Sequence, residues 1–203
     1  CTGDAKIYSY FPEKQIAPFK IAFLGFKSAI PEGGPDLFSN PLLHTIIRAE
    51  PVKQDISDRL SDRLYMLIED SKNYNMINMR WDQKAGSINP GDMNAVKALV
   101  KDISADIVIT GYVYRMQERE GGEYASVSPA SVAFDLYFLD VNKAAVSWKG
   151  RYDKTQKSLS ENLLDFKSFL KFKGKWADVD TLALEGLKEL VDNMPIIKKS
   201  IIR

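Results

Sequence analysis

One cysteine and one histidine are all that 203 residues supply, so no Cys/His cluster at metal-ligand spacing and no internal disulfide can be assembled. Long apolar runs are missing too. The richest, Ile21 to Phe26, is strand-length, far short of the roughly 18–20 consecutive apolar residues that a bilayer-spanning helix needs. Neither sign of charge prevails: 28 Lys and Arg stand against 27 Asp and Glu, for a net charge of +1. A chain without a basic field gives nucleic acid no general attraction, and no nucleic-acid partner is expected. There is no nucleophile elbow, paired-histidine helix motif, phosphate-cradling glycine loop or dinucleotide fingerprint, so neither catalysis nor a cofactor is expected. Gly33-Gly34 and Gly121-Gly122 are isolated turn pairs. The length suits one substantial core.

The single cysteine stands at position 1, followed by Thr2, Gly3 and Asp4. This start resembles a mature bacterial lipoprotein, in which cleavage before a cysteine leaves a sulfur that receives diacylglycerol and an amine that is then acylated. The resemblance implies that Cys1 is a lipidation site, with the bilayer as a partner through palmitate-type chains. Each buried methylene contributes roughly 0.8 kcal/mol, and several chains hold durably where one holds marginally. Thr2 beside the lipidated residue implies the periplasmic face of the outer membrane in a Gram-negative bacterium. Residues 1–18 then read as a lipidated tether and residues 19–203 as one globular domain. Pro12 and Pro18 discourage helix in the tether, while Tyr8, Tyr10 and Phe11 suggest that part of it docks.

Periodicity supplies the domain's elements. Phe19 to Phe26 is a short continuous apolar run that suits a strand buried on both faces. A Gly/Pro-rich loop over 27–50 follows, with room for a helical turn at Leu42 to Ile47. A helix is predicted from Pro51, at its first position, to Ser71, with Val52, Ile56, Leu60, Leu64, Leu67 and Ile68 on one face. Asn75 to Trp81 alternates as a half-exposed strand. Asn89-Pro90-Gly91-Asp92 opens a second helix with Asn89 as its cap and Met93, Val96, Leu99, Val100 and Ile103 inward. Two strand–helix units in sequence predict parallel strands with right-handed crossovers.

Three consecutive strands come next, Asp106 to Glu118, Ser131 to Asp140 and Ala144 to Asp153, as an antiparallel meander. A three-residue turn at Val141–Lys143 would set Phe138 opposite Val146 and Leu136 opposite Trp148 in the core, with Asp135 meeting Lys149 outside. A last helix carries the stripe Val179, Leu182, Ala183, Gly186, Leu187, Leu190, Val191 and Met194, ended by Pro195. The fold class is α/β (α+β), a mixed sheet of about five strands with element order β-α-β-α-β-β-β-α and helices packed on it.

The run Ser104 to Val113, then Phe134 to Val141 and Val146-Ser147-Trp148, resembles the latter half of TolB N-terminal-like domains and of the curli-secretion lipoprotein family (CsgG-like). The likeness is specific over about 104–164. It implies the same mixed sheet, and it makes self-association or an envelope protein partner the expected mode of action. Leu24-Gly25-Phe26 departs from the Leu-Pro-Phe common in such domains, and no pair of long alternating hairpins is present to build a transmembrane barrel.

Two segments stand out as partner or membrane surfaces. Phe166, Phe169, Phe172 and Trp176 interleave with Lys167, Lys171, Lys173 and Lys175, as suits an interface where lysine stems and aromatic rings lie together; the same segment also fits a helix packed inward through Leu163, Phe166 and Leu170. Ile201 and Ile202, in the apolar tail after Pro195, either close the core or meet another subunit. His44 reads as a loop residue satisfied by a hydrogen bond, and Glu118 to Tyr124 as a solvated turn. These features predict a non-catalytic, outer-membrane-anchored periplasmic lipoprotein acting in envelope biogenesis, secretion or export. The competing expectation is a small-ligand-binding protein or hydrolase-like enzyme with a cleft under the 27–50 loop, which a pocket holding His44 with two carboxylates would favour.

Overall fold

The computed structural model describes residues 6–9, 20–72, 74–81, 88–118, 120–121, 126–155 and 178–195. Its strands are β1 (Lys6–Ser9), β2 (Lys20–Ser28), β3 (Leu37–Asn40), β4 (Thr45–Arg48), β5 (Asn75–Asn78), β6 (Ile107–Gln117), β7 (Glu120–Gly121), β8 (Ser126–Ser128), β9 (Ser131–Asp140) and β10 (Ala145–Thr155). The helices are α1 (Gln54–Ser71), α2 (Met93–Val100) and α3 (Val179–Asp192).

Six strands form one mixed sheet in the order β1-β10-β9-β6-β2-β5. β2 runs parallel to both β5 and β6, as two successive strand–helix units require, and β6, β9, β10 and β1 are successively antiparallel. The sixth strand comes from the segment expected to be tether: Lys6–Ser9 lies along β10, with Tyr8 opposite Lys149 and Lys6 opposite Arg151.

Both faces of the sheet are covered, by different means. On one, Leu60, Leu64 and Ile68 of α1 and Leu182, Leu187 and Leu190 of α3 pack on Ile21, Phe23, Phe26, Ile109, Phe134, Phe138 and Trp148. Each fully buried side chain of this size contributes roughly 1.5–3 kcal/mol. α1 approaches β2 so closely that a Cβ at Gly25 would lie 2.5 Å from Ser61 Oγ, and Gly25 also holds φ +76° at a bulge. The departure from Leu-Pro-Phe thus has a steric cause: this position admits only a residue without a side chain. Ser61 uses the proximity, accepting a hydrogen bond from the Phe26 N–H at 2.7 Å. On the other face, Val96 and Val100 of α2 and the β3–β4 hairpin cover Ala22, Leu24, Val108, Tyr112, Tyr114, Tyr137 and Leu139.

Several boundaries differ from the sequence reading. No helical turn forms at Leu42 to Ile47; Thr45–Arg48 is a strand paired with Leu37–Asn40. α1 starts at Gln54 instead of Pro51, after an extended Lys53. α2 is capped by Asp92, whose carboxylate accepts from the Asn94 and Ala95 N–H groups, while Asn89 caps the preceding turn through Gly91 N–H. β5 stops at Asn78 because the Met79 and Arg80 N–H groups both turn to the Phe23 carbonyl, with Arg80 at φ +57°.

The β9–β10 register differs as well. The connection holds one more residue, with Ala144 at φ +53°, and a bulge falls between Val146 and Trp148. Phe138 therefore faces Trp148, Leu136 faces Gly150, and Asp135 faces Arg151. The bulge is what keeps Trp148 on the core side after the longer turn, since a one-residue slip would invert every later side chain.

Candidate functional site

Asp135 is fully buried, although the sequence pattern places it outside. The β3–β4 hairpin and Arg151 enclose it. Arg151 donates Nε to Oδ1 at 2.5 Å and Nη2 to Oδ2 at 2.8 Å, while the Tyr114 and Tyr137 hydroxyls donate to Oδ2 at 2.9 and 2.5 Å. Lys149 Nζ lies 3.8 Å from the same oxygen. Asn40, also fully buried, donates Nδ2 to both tyrosine oxygens, at 2.9 and 2.8 Å, and accepts at Oδ1 from the Leu42 and Leu43 N–H groups. One side chain thus closes the hairpin turn and fastens it to the sheet.

The electrostatics of the network follow from burial. Desolvation, reinforced by the Asp135 carboxylate, pushes the Tyr114 and Tyr137 phenols well above the ordinary range. Hydrogen bonding to Asp135 raises the Arg151 guanidinium above its usual value against the opposing effect of burial. Burial lowers the Lys149 ammonium, and Asp135 partly offsets this. Both carboxylate oxygens are engaged by cations or phenols, and both phenols act as donors to the carboxylate. A general base needs an accepting lone pair directed at a substrate proton. This carboxylate is committed to holding the hairpin.

His44 stands at the exposed tip of the hairpin, at φ +53°, with its N–H bonded to the Asn40 carbonyl at 2.9 Å. The expected cleft beneath it is filled: Phe38 packs on Tyr112 and Tyr114 with ring centroids 4.8 and 5.9 Å apart, and Leu42, Leu43 and Ile47 join the same cluster. The described residues thus do not bring His44 together with two carboxylates in a pocket under the loop, the arrangement that would have favoured the enzyme or small-ligand reading. No group of three or more potential metal ligands occurs among the described residues.

Two surfaces adjoin the network. The outer face of the hairpin exposes Leu37 (60%) and Ile46 (73%), diagonal neighbours across the β3–β4 pair. Beside the hairpin, the flank of the sheet formed by β10 and β1 presents Arg151, Lys149, Lys6 and Tyr8, with the Lys149 ammonium 5.7 Å from the Tyr8 ring and Tyr8 53% exposed. The sequence offered little warning of the hairpin, because two four-residue strands joined through Pro41-Leu42-Leu43-His44 lack the Gly-containing turn that marks such motifs. The residues singled out from sequence, Cys1, Phe166, Phe169, Lys171, Phe172, Lys173, Trp176, Ile201 and Ile202, lie outside the described residues. Among the described ones, no helix is long and apolar enough to cross a membrane.

No protein-family model matches the chain, and no curated protein matches its sequence. Solved structures share its fold. The PelC dodecamer from Paraburkholderia phytofirmans superimposes with a TM-score of 0.56 at 11% identity, over 95% of this chain and 98% of that one. A single-residue variant of that dodecamer in another lattice gives 0.53 at 11% identity, over 93% and 96%. Lipoprotein GNA1162 from Neisseria meningitidis is also similar, with a TM-score of 0.43, 11% identity and coverage of 77% and 97%. At these identities the likeness is one of fold.

Proposed function

We propose that the chain is a non-catalytic lipoprotein of the Gram-negative envelope, anchored through Cys1 at the periplasmic face of the outer membrane, whose domain serves as one subunit of a homo-oligomer in envelope biogenesis, secretion or export. The observation that carries this reading is the end-to-end match to PelC, a protein that forms a dodecamer, over 95% of this chain. The saturated Asp135 network supports it from the chemical side, because the most elaborate polar cluster described is engaged in holding structure. The resemblance to TolB N-terminal and CsgG-like domains belongs to the same reading.

Cys1, in this view, carries the acyl chains. The segment holding Phe166, Phe169, Lys171, Phe172, Lys173 and Trp176 faces the bilayer or a partner, and Ile201 and Ile202 meet a neighbouring subunit. The test is the mass of the detergent-extracted protein from its native envelope, read by light scattering, together with mass spectrometry of its N-terminal peptide. A high-mass homo-oligomer bearing an acylated Cys1 is expected. A monomer with a free thiol at that position sinks the proposal.

A further inference from the structure

Exposed large hydrophobics among the described residues are Tyr8, Leu37, Ile46 and Met66. Three of these four adjoin the Asp135 network on two separate elements, and the charge around them differs in sign. The hairpin strands that hold Leu37 and Ile46 are flanked by exposed Asp36 and half-buried Glu50, brought together by the Ala49 N–H to Asp36 carbonyl bond, with Arg48 opposite Leu37: two acids and one base leave one negative charge. The flank holding Tyr8 carries Lys6, Lys149 and Arg151, with the Arg115–Asp153 ion pair beyond them on the same face, against the buried Asp135: four bases and two acids leave two positive charges. A chain of net charge +1 thus displays one acidic and one basic apolar surface.

We infer that these two surfaces are the two halves of one contact between copies of this chain, the outer face of the β3–β4 hairpin of one copy seating on the β1–β10 flank of the next. The occupant is a second copy because the complementary surface is on the same chain. Ile46 and Leu37 supply apolar area for Tyr8 to cover, and the acidic border meets Lys6, Lys149 and Arg151. Opposed charge at the rim fixes orientation and suppresses wrong pairings more than it adds affinity.

Two different patches can meet either head to tail or twice over across a twofold axis. The head-to-tail form is the one that propagates, leaving each copy a further hairpin and a further flank to offer, and its repetition closes a ring when the rotation permits. The dodecameric state of the PelC neighbour favours that heterologous form here. The Asn40 clamp acquires a role in this arrangement. It holds the hairpin rigid against Tyr114 and Tyr137, so the interface is preorganised and little ordering free energy is lost on assembly.

The inference rests on the homo-oligomer reading, and the experiment separates the two. Ile46→Cys and Tyr8→Cys are introduced singly and together into the full-length chain and expressed in its native envelope. Membranes are treated with a short bis-maleimide, and the detergent-extracted mass of each variant is measured in parallel. The double variant, and a mixture of chains carrying one substitution each within the same cells, should give crosslinked products. The double variant should give a ladder extending beyond the dimer, whereas either single variant alone should stay at the mass of the parent. Ile46→Asp, at a position 73% exposed, should abolish the high-mass species while leaving the far-ultraviolet circular dichroism of the folded chain unchanged. A native-mass oligomer whose double variant gives no crosslink overturns this interface and leaves the oligomer reading standing. Crosslinking of Ile46→Cys alone, or a double variant whose crosslinked products stop at the dimer, overturns the heterologous assignment. A monomeric parent overturns both.

Discussion

Arg151 grips Asp135 through two nearly parallel hydrogen bonds, Nε to Oδ1 and Nη2 to Oδ2, where a strand register one residue different would have put another side chain. Around that pair the protein resolves a conflict that its β9 pattern sets up. A carboxylate on the face that also carries Tyr137 and Leu139 must be buried once the hairpin folds over it, and a buried charge is tolerated only when paired and hydrogen-bonded. The guanidinium supplies the pairing, and two phenols complete the shell.

Replacing Asp135 by Ala should therefore cost about 3 kcal/mol of unfolding free energy, at the lower end of what breaking a buried ion pair costs, because Arg151 is 29% exposed and can turn toward water. Urea denaturation followed by circular dichroism reads it. A loss below about 1 kcal/mol would mean that the carboxylate is not committed to the fold as described.

Alkali should reveal the same network through its phenols. Burial raises Tyr114, Tyr137, Tyr112, Tyr74 and Tyr152 above the ordinary value of 10.0. A phenol with a raised folded value contributes stability that is fully present below the unfolded value and is lost as pH climbs above it, since the unfolded chain then releases protons the folded one retains. Stability should be insensitive to these groups below pH 10 and fall above it. Phenolate absorbance from the buried tyrosines should then appear cooperatively with unfolding. A gradual, independent titration of all nine tyrosines starting near pH 10 contradicts this.

Two tyrosine hydroxyls should behave oppositely. Tyr152 has a buried hydroxyl with no hydrogen-bond partner among the described residues, whereas Tyr137 donates to Asp135 and accepts from Asn40. Tyr152→Phe should leave the urea midpoint unchanged or raise it, and Tyr137→Phe should lower stability by about 1–3 kcal/mol. Equal effects would argue that the network confers nothing beyond packing.

Gly25→Ala forces a methyl group against Ser61 and a side chain onto a backbone at φ +76°. Strain and overpacking together should cost about 2–4 kcal/mol, read as a lowered thermal midpoint. Combining it with Ser61→Ala should not restore the loss fully, because the backbone strain and the lost Phe26 N–H bond remain.

Asn40→Ala should loosen the hairpin without unfolding the sheet. Leu42 and Leu43 lose the acceptor for their N–H groups, so their amide exchange should accelerate about tenfold or more while Ile109 and Phe138 keep their protection. Uniform acceleration across both sets would show that the hairpin is not a separate opening unit.

Much of the architecture was legible in the sequence because periodicity reports burial directly. The α3 stripe from Val179 to Val191 is buried residue for residue, and the strands 107–117 and 131–140 fall within a residue or two of where alternation and turn signals put them. The hairpin was less legible. Leu37–Asn40 and Thr45–Arg48 are too short for a period to emerge, and their strand state depends on Phe38 and Ile47 finding the tyrosine face of the sheet.

By itself, then, the sequence determined which residues must leave water: the run at 21–26, the two strands that carry Ile109 and Phe138, and the helix stripes, since apolar spacing needs no partner to be read. It also held too few cysteines and histidines for a metal cluster built from those residues. The tertiary structure decided how the strands slide against one another, through a four-residue connection at Val141–Ala144 and a bulge before Trp148. It also decided that Lys6–Ser9 would add a strand and that Asp135 would be buried against Arg151. Those outcomes turn on contacts between residues distant in the chain, whose free energies differ by register and turn geometry and not by composition, so no local pattern encodes them.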